Sequence, residues 1–362
     1  MRVSVIRPSE LGERELDRWR TIQEADPAFD NPFLSPEFTC AVGELRKQVR
    51  VGVLEEGSDL VGFFPFEQHA LGVGKPVAAG LTDAQGMVLA KDVEIDSRLI
   101  KHCGLAVYEF DHLVEGQPLA AYGKHALHPS PIIDMRHGYD AYVEQIKRTS
   151  GKTYRSTRYK ARKLTRDIGA VQHDFDITSI ESLRTLLKWK TDQYRRTGRA
   201  NRFAHGWIVE LVERLLATRS DSFAGLLDMM YVDGHPIAGH FGLRTRTTLA
   251  GWFPAYNTTF AKYSPGLVQH LAMAERSAEA GIVVIDLGRG EKEYKNKLKN
   301  GEFAVVDGRV VSAGPRAAVH WLMWIPARKA RAAIMADPLL RRSADRALKR
   351  YGRIRTAVEA RR

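Results

Sequence analysis

The residues whose types and spacing could do chemistry gather between Thr248 and Leu298. Asp286 closes a short, almost wholly apolar run, Ile282–Leu287, and stands before Gly288-Arg289-Gly290. A carboxylate at the carboxyl end of a buried strand, beside a flexible turn, sits where open α/β sheets place ligands. There it can take a proton or anchor an amine; its plainer reading is a cap on the glycine turn. Tyr294 and Lys295 follow on a basic helix, where a phenol can give a proton to a leaving group and an ammonium can neutralise an anion. Arg289 is a bidentate donor for an anionic substrate. His240 lies on the strand Pro236–Leu243, on one face with Ala238 and Gly242, so its imidazole has room to face a cleft as an alternative base. A lone strand histidine is more often structural. Trp252 and Tyr256 suit the wall of such a cleft better than they suit chemistry.

The elements that must position these groups read as strand, polar loop, helix, strand and turn. Thr248–Tyr256 is rich in aromatic and β-forming residues. Tyr263-Ser264-Pro265-Gly266 opens a helix, with Ser264 expected as N-cap and Pro265 at the first helical position. Leu267, Leu271, Ala274 and Ala278 recur on one face, and Gly281 ends the helix. The free N–H groups and positive dipole end of that helix suit a phosphate. Upstream, the stretch 147–166 carries nine basic residues and no acid. It reads as a solvated linker helix or as a phosphate-binding face. Further on, 302–306 and 309–311 read as a hairpin about Asp307-Gly308.

Taken together, Trp252, Ala255-Tyr256, Phe260, Ser264-Pro265-Gly266, Ala280-Gly281, Asp286-Leu287-Gly288-Arg289-Gly290 and Tyr294-Lys295 form a pattern. It resembles the GNAT-superfamily acetyltransferases of the cellulose-biosynthesis (CelD-like) group, relatives of the Fem-type two-lobed transferases. The resemblance is strongest over about 147–311 and looser in the N-terminal half. It implies an α/β (α+β) fold of two GNAT-like lobes, with mixed, mostly antiparallel central sheets flanked by helices. The expected division is 1–146, a degenerate GNAT-like lobe, 147–315, the acyltransferase lobe, and 316–362, a basic helical tail. In GNAT folds two central strands splay and the pantetheine arm of acetyl-CoA fills the gap. Here those strands would be Thr248–Ala255 and Ile282–Leu287.

The resemblance further implies acetyl-CoA or another acyl-CoA as co-substrate, its pyrophosphate held by Lys262, Ser264, Gly266 and Leu267. The implied reaction is attack of an amine, or a hydroxyl, on the thioester, with Asp286 or His240 as base and Tyr294 as proton donor. Trp252, Tyr256, Arg289 and Lys295 would contact the acceptor. Polysaccharide biosynthesis, with an amino sugar, nucleotide sugar or lipid-linked glycan as acceptor, is the context the group implies. One rival reading is a Fem-type transferase that draws an aminoacyl group from tRNA, with 147–166 against the RNA. The other is a non-catalytic lobe pair that docks a membrane-associated assembly.

Composition bounds these readings. The chain of 362 residues is 44% hydrophobic and 27% charged, enough for one large or two ordinary domains. Two cysteines, Cys40 and Cys103, exclude a disulfide framework and fit a reducing compartment. His102, His112, His125, His128 and His137 show no metal-ligand spacing, so no metal is expected. No apolar leader and no run of ~20 apolar residues is present, so the expectation is a cytoplasmic protein. The net charge of +12 belongs almost entirely to 316–362, where thirteen Lys/Arg face three acids. Beside Trp321, Trp324 and Ile325 that charge could meet an anionic membrane surface peripherally; no nucleic-acid recognition motif accompanies it.

Overall fold

The computed structural model describes residues 1–290, 292–319, 322 and 343. Most of the expected tail, with Trp321, Trp324 and Ile325, lies outside the described residues. The N-terminal half supplies β1 (Arg2–Ile6), β2 (Val49–Glu56), β3 (Asp59–Gln68), β4 (Val73–Lys75), β5 (Val88–Leu89), β6 (Val107–Val114) and β7 (Gly123–Asp134). The C-terminal half supplies β8 (Val171–Ile177), β9 (Ala224–Val232), β10 (His235–Arg244), β11 (Thr248–Tyr256), β12 (Val284–Asp286) and β13 (Gly301–Val311). The helices are α1 (Glu13–Ala25), α2 (Pro36–Leu45), α3 (Leu99–His102), α4 (Tyr139–Asp167), α5 (Ile180–Thr197), α6 (Gly206–Ala217), α7 (Pro265–Glu279) and α8 (Glu293–Leu298). No helix among the described residues is long and apolar enough to cross a membrane.

One continuous sheet runs β1-β2-β3-β4-β6-β13-β7-β12-β11-β10-β9-β8, with β5 beside β3. Read from either end, the pairing plan is the same: three antiparallel steps, one parallel step, then antiparallel steps to the centre. Each half gives its last strand to the other. β13 lies between β6 and β7, and β7 lies between β13 and β12. The N-terminal half is thus a copy of the C-terminal half at the level of topology.

Several expectations are corrected. The hairpin about Asp307-Gly308 is instead the single long strand β13, with a register shift between Val306 and Gly308. Two long neighbours, β6 and β7, satisfy both of its edges, so folding back would forfeit a ladder. The basic stretch 147–166 is not a separate linker helix but part of one helix, α4, which begins at Tyr139 and is interrupted at Ser150 (φ −134°, ψ 30°). The point between residues 146 and 147 therefore falls inside a helix.

The sheet's two faces are covered differently. On one face, α2, α5 and α6 pack Phe38, Leu186 and Leu211 against Leu227, Phe241 and Phe253. On the other, α4 and α7 pack Tyr142, Ile146, Leu271 and Ala274 against Leu226, Leu249 and Ile285. Both arrangements follow from apolar residues at helical spacing meeting the alternate faces of β9–β12.

Candidate active site

β11 and β12 pair in parallel only from Thr248–Ala250 to Val284–Asp286. Beyond Ala250 the strands part. Leu287 N–H donates to Pro131 O of β7 (3.0 Å), so the chain after β12 follows β7. It then turns at Gly288, whose φ of 73° suits glycine. Asn257 N–H points at β10, to Ile237 O (2.9 Å), so the alternate backbone positions Pro254 and Tyr256 face the gap. Proline offers no N–H for a ladder there, and Pro254 O accepts from Lys190 Nζ at 2.8 Å instead. The gap opens into a cleft of about 740 Å³.

His240 and His270 form part of the cleft lining, their rings edge to face with centroids 5.7 Å apart. Burial, then the neighbouring His270 and Lys190, hold His240 well below the usual histidine range, so it is neutral at pH 7 and free to accept a proton. Its Nδ1 has no hydrogen-bond partner among the described residues. His270 Nδ1 lies 2.6 Å from Gly266 O, which can only accept, so Nδ1 carries the hydrogen and Nε2 is the acceptor. Burial lowers His270 as well. Tyr294 packs on His270 at 5.3 Å, and burial, with Asp83 nearby, pushes its phenol up to about 12. It is a protonated donor at neutral pH.

Of the residues singled out from sequence, His240, Trp252, Tyr256, Ser264, Gly266, Leu267, Arg289, Tyr294 and Lys295 all line this cleft. Trp252 is a wall, its Nε1 donating to Leu81 O at 2.7 Å. Lys295 Nζ donates to Gly288 O (2.7 Å) and Arg289 O (3.2 Å), and Arg289 itself donates to Asp111 O (2.7 Å); both brace the turn. Asp286 stands behind the wall and not on it. It is 1% exposed and accepts from Gly288 N–H (2.8 Å), Ser130 Oγ (3.2 Å) and Asn31 Nδ2 (3.3 Å). Burial and the charge of Asp83 raise it to about 7.

Lys262 is exposed, its ammonium 4.9 Å from the Tyr263 ring, and it does not reach the cleft. Ser264 precedes α7 as expected, but its side chain caps nothing. Its backbone is left-handed (φ 52°), and its Oγ accepts from Lys160 Nζ of α4 at 2.8 Å. The basic helix thus reaches the start of α7.

Sequence reasoning missed His270, Lys190, Asp83, Arg199, Arg202 and Lys292, all of which line the cleft. A signal existed for two. Lys190 is a charge on the apolar stripe of α5, and His270 is four residues after Gly266, on its side of α7. Asp83 carries none: it comes from the N-terminal half, and a Cβ on Gly288 would lie 2.6 Å from its Oδ2.

Residues 151–296 match the family described as an acetyltransferase (GNAT) domain. No curated protein matches the sequence. Among solved structures the chain is similar to FemX, at 10% identity and a TM-score of 0.61, over 89% of this chain and 99% of that one. It is also similar to a conserved protein of unknown function from Bacteroides thetaiotaomicron, at 9% identity and a TM-score of 0.50, over 84% and 98%. At such identities these likenesses are of fold. The matched stretch 151–296 contains both strands that part, β11 and β12.

Proposed function

We propose that this chain is an acyl-CoA-dependent N-acyltransferase of the CelD-like group, with acetyl-CoA as donor. The observation that supports it most is the half-paired β11, whose gap edge is open beside the N-terminus of α7. The donor supplies a thioester whose pantetheine arm lies along Pro254–Tyr256. Gly266 and Leu267 at the start of α7, with Ser264 and Lys160, hold its phosphates; Lys262 adds long-range charge only. His240 takes the proton of the attacking amine as the nitrogen bonds to the acyl carbon. As the carbon–sulfur bond breaks, Tyr294 protonates the departing thiolate. Asp286 and Lys295 act through the Gly288–Arg289 turn, which they fix. The acceptor is an amino sugar, nucleotide sugar or lipid-linked glycan used in polysaccharide biosynthesis, and Trp252, Tyr256 and Arg289 contact it.

Calorimetric titration with acetyl-CoA tests the reading. Saturable heat and a raised melting temperature are expected; neither at millimolar ligand rejects it. A second reading, transfer from aminoacyl-tRNA, is favoured by the contact of basic α4 with Ser264, which would set RNA beside the cleft. It requires transfer from charged tRNA that falls steeply with salt. We also propose that 316–362 holds the protein at an anionic membrane face on the cytoplasmic side. Sedimentation with anionic but not with neutral vesicles is the outcome that reading needs.

A further inference from the structure

We infer that the mouth of the cleft on the α5 side is a binding site for a phosphate or diphosphate group of the acceptor. The inference rests on the acyltransferase reading for the word acceptor, but not for the site itself. Four cations from three segments converge there. Lys190 comes from α5, Arg199 and Arg202 from the loop between α5 and α6, and Lys292 from the residue before α8. Most other cations of this half have partners; Arg184 meets Glu213 at 2.9 Å and Arg214 meets Glu210 at 2.9 Å. No ion pair or side-chain hydrogen bond is made by Arg199, Arg202 or Lys292 among the described residues. Lys190 donates to a carbonyl, Pro254 O, and lies 5.6 Å from the Tyr194 ring, and among the described residues it meets no carboxylate.

Like charges held together on a concave, partly desolvated wall repel one another unless an anion fills the space. Lys190 registers that repulsion. Burial first, and then Lys292, Arg199, Arg202 and Lys295, bring its ammonium down to about 7. Among the described residues the acidic group facing this wall is Asp83, whose carboxyl burial raises above the usual range against the opposing charges of His112, Lys295 and Arg202. Two arginines offer forked donors, the geometry that matches phosphate oxygens.

The donor's phosphates do not account for the cluster. They belong at the start of α7 near Lys160, and α4 and α7 cover the face of the sheet opposite α5 and α6. The gap between β11 and β12 connects the two faces. An acceptor anchored by a phosphate at Arg199 and Arg202 would enter from the α5 side, with its amine directed toward the His240–His270 floor. Among the acceptors considered above, this selects a nucleotide sugar or a lipid-linked glycan over a free amino sugar.

The test uses the full chain, saturated with CoA so that the α7 end is filled, and titrated with inorganic pyrophosphate. Binding is expected, and Arg199→Ala/Arg202→Ala should weaken it at least tenfold without moving the melting temperature or the affinity for CoA. Lys160→Ala should leave pyrophosphate binding unchanged. Uridine diphosphate and geranyl diphosphate, titrated in parallel, separate the sources: the tighter of the two marks a nucleotide or a lipid carrier. No pyrophosphate binding, or equal binding by the double variant, overturns the inference. Should CoA itself fail to bind, the acyltransferase reading falls, while the comparison of wild type and double variant with pyrophosphate alone still decides this one.

Discussion

Where β4 meets β6, Val73 and Gly74 pair in parallel with Val107 and Tyr108; where β11 meets β12, Thr248–Ala250 pair in parallel with Val284–Asp286. These two seams occupy equivalent places in the two halves of the sheet. The first is plugged. Tyr108 is fully buried there, edge-on to Phe64 at 4.9 Å, and a Cβ on Gly74 would lie 2.6 Å from Leu105 Cδ1. β4 is only three residues long, and the helix before β6, α3, has four residues and too little length to form an anion-binding end. The second seam is open, floored by His240 and His270, and followed by the 15-residue α7. The pairing plan is shared by both halves; the side chains at the seam decide whether a half can hold a substrate.

That contrast can be broken experimentally, first at the open seam. His240→Ala should lower turnover by about 10²–10⁴-fold, the usual yield of a positioned base, with melting unchanged. Retained turnover would return the role of base to another group. At the plugged seam the opposite pattern is expected. Tyr108→Ala should cost about 3–4 kcal/mol in denaturant unfolding, as large buried aromatics do, with acetyl-CoA affinity unchanged. A new acyl-CoA site there would show that the plug alone separates the halves.

Asp286, behind the open seam, gives a smaller effect with a definite sign. Its carboxyl titrates near 7 in the folded chain and near ~4 unfolded, so the folded state holds the extra proton between those values. Stability from this group is therefore present below pH ~4 and is lost as pH rises toward 7, by up to about 1.4 kcal/mol per pH unit. Asp228, also near 7, adds a parallel loss. Asp286→Asn should flatten part of that slope in melts from pH 5 to 8; an unchanged slope would place the carboxylate's titration elsewhere. The smallest effect is at the start of α7. Lys160→Ala should raise the acetyl-CoA Kd about fivefold, ~1 kcal/mol, in the same calorimetric titration.

Much of the open seam was legible along the chain because its parts are local. Strand, loop, helix N-terminus, short strand and glycine turn follow one another within 248–290, each marked by β-formers, Pro265 or glycines. Asp286 shows the limit of that reading. Its position at a strand end was correct, but whether its carboxylate faces a cleft or a turn depends on Asn31 and Ser130, distant in sequence. His270 and Lys190 were visible as polar residues on helices, yet their meeting required α5 and α7 to pack on opposite faces of the same gap.

Local periodicity and turn chemistry in the sequence determined most of the elements and the mixed α/β class, because those depend on residues within one or two turns of each other. The parting of two strands came from the family resemblance, and the single long β13 from its two neighbours. The exchange of β7 and β13 between the halves, the arrival of Asp83 at the cleft and the placing of Lys160 against Ser264 were decided only by tertiary structure. Each joins segments far apart in the chain, and such contacts form where two separately specified surfaces complete each other's hydrogen bonds and burial. No pattern within either segment records the other.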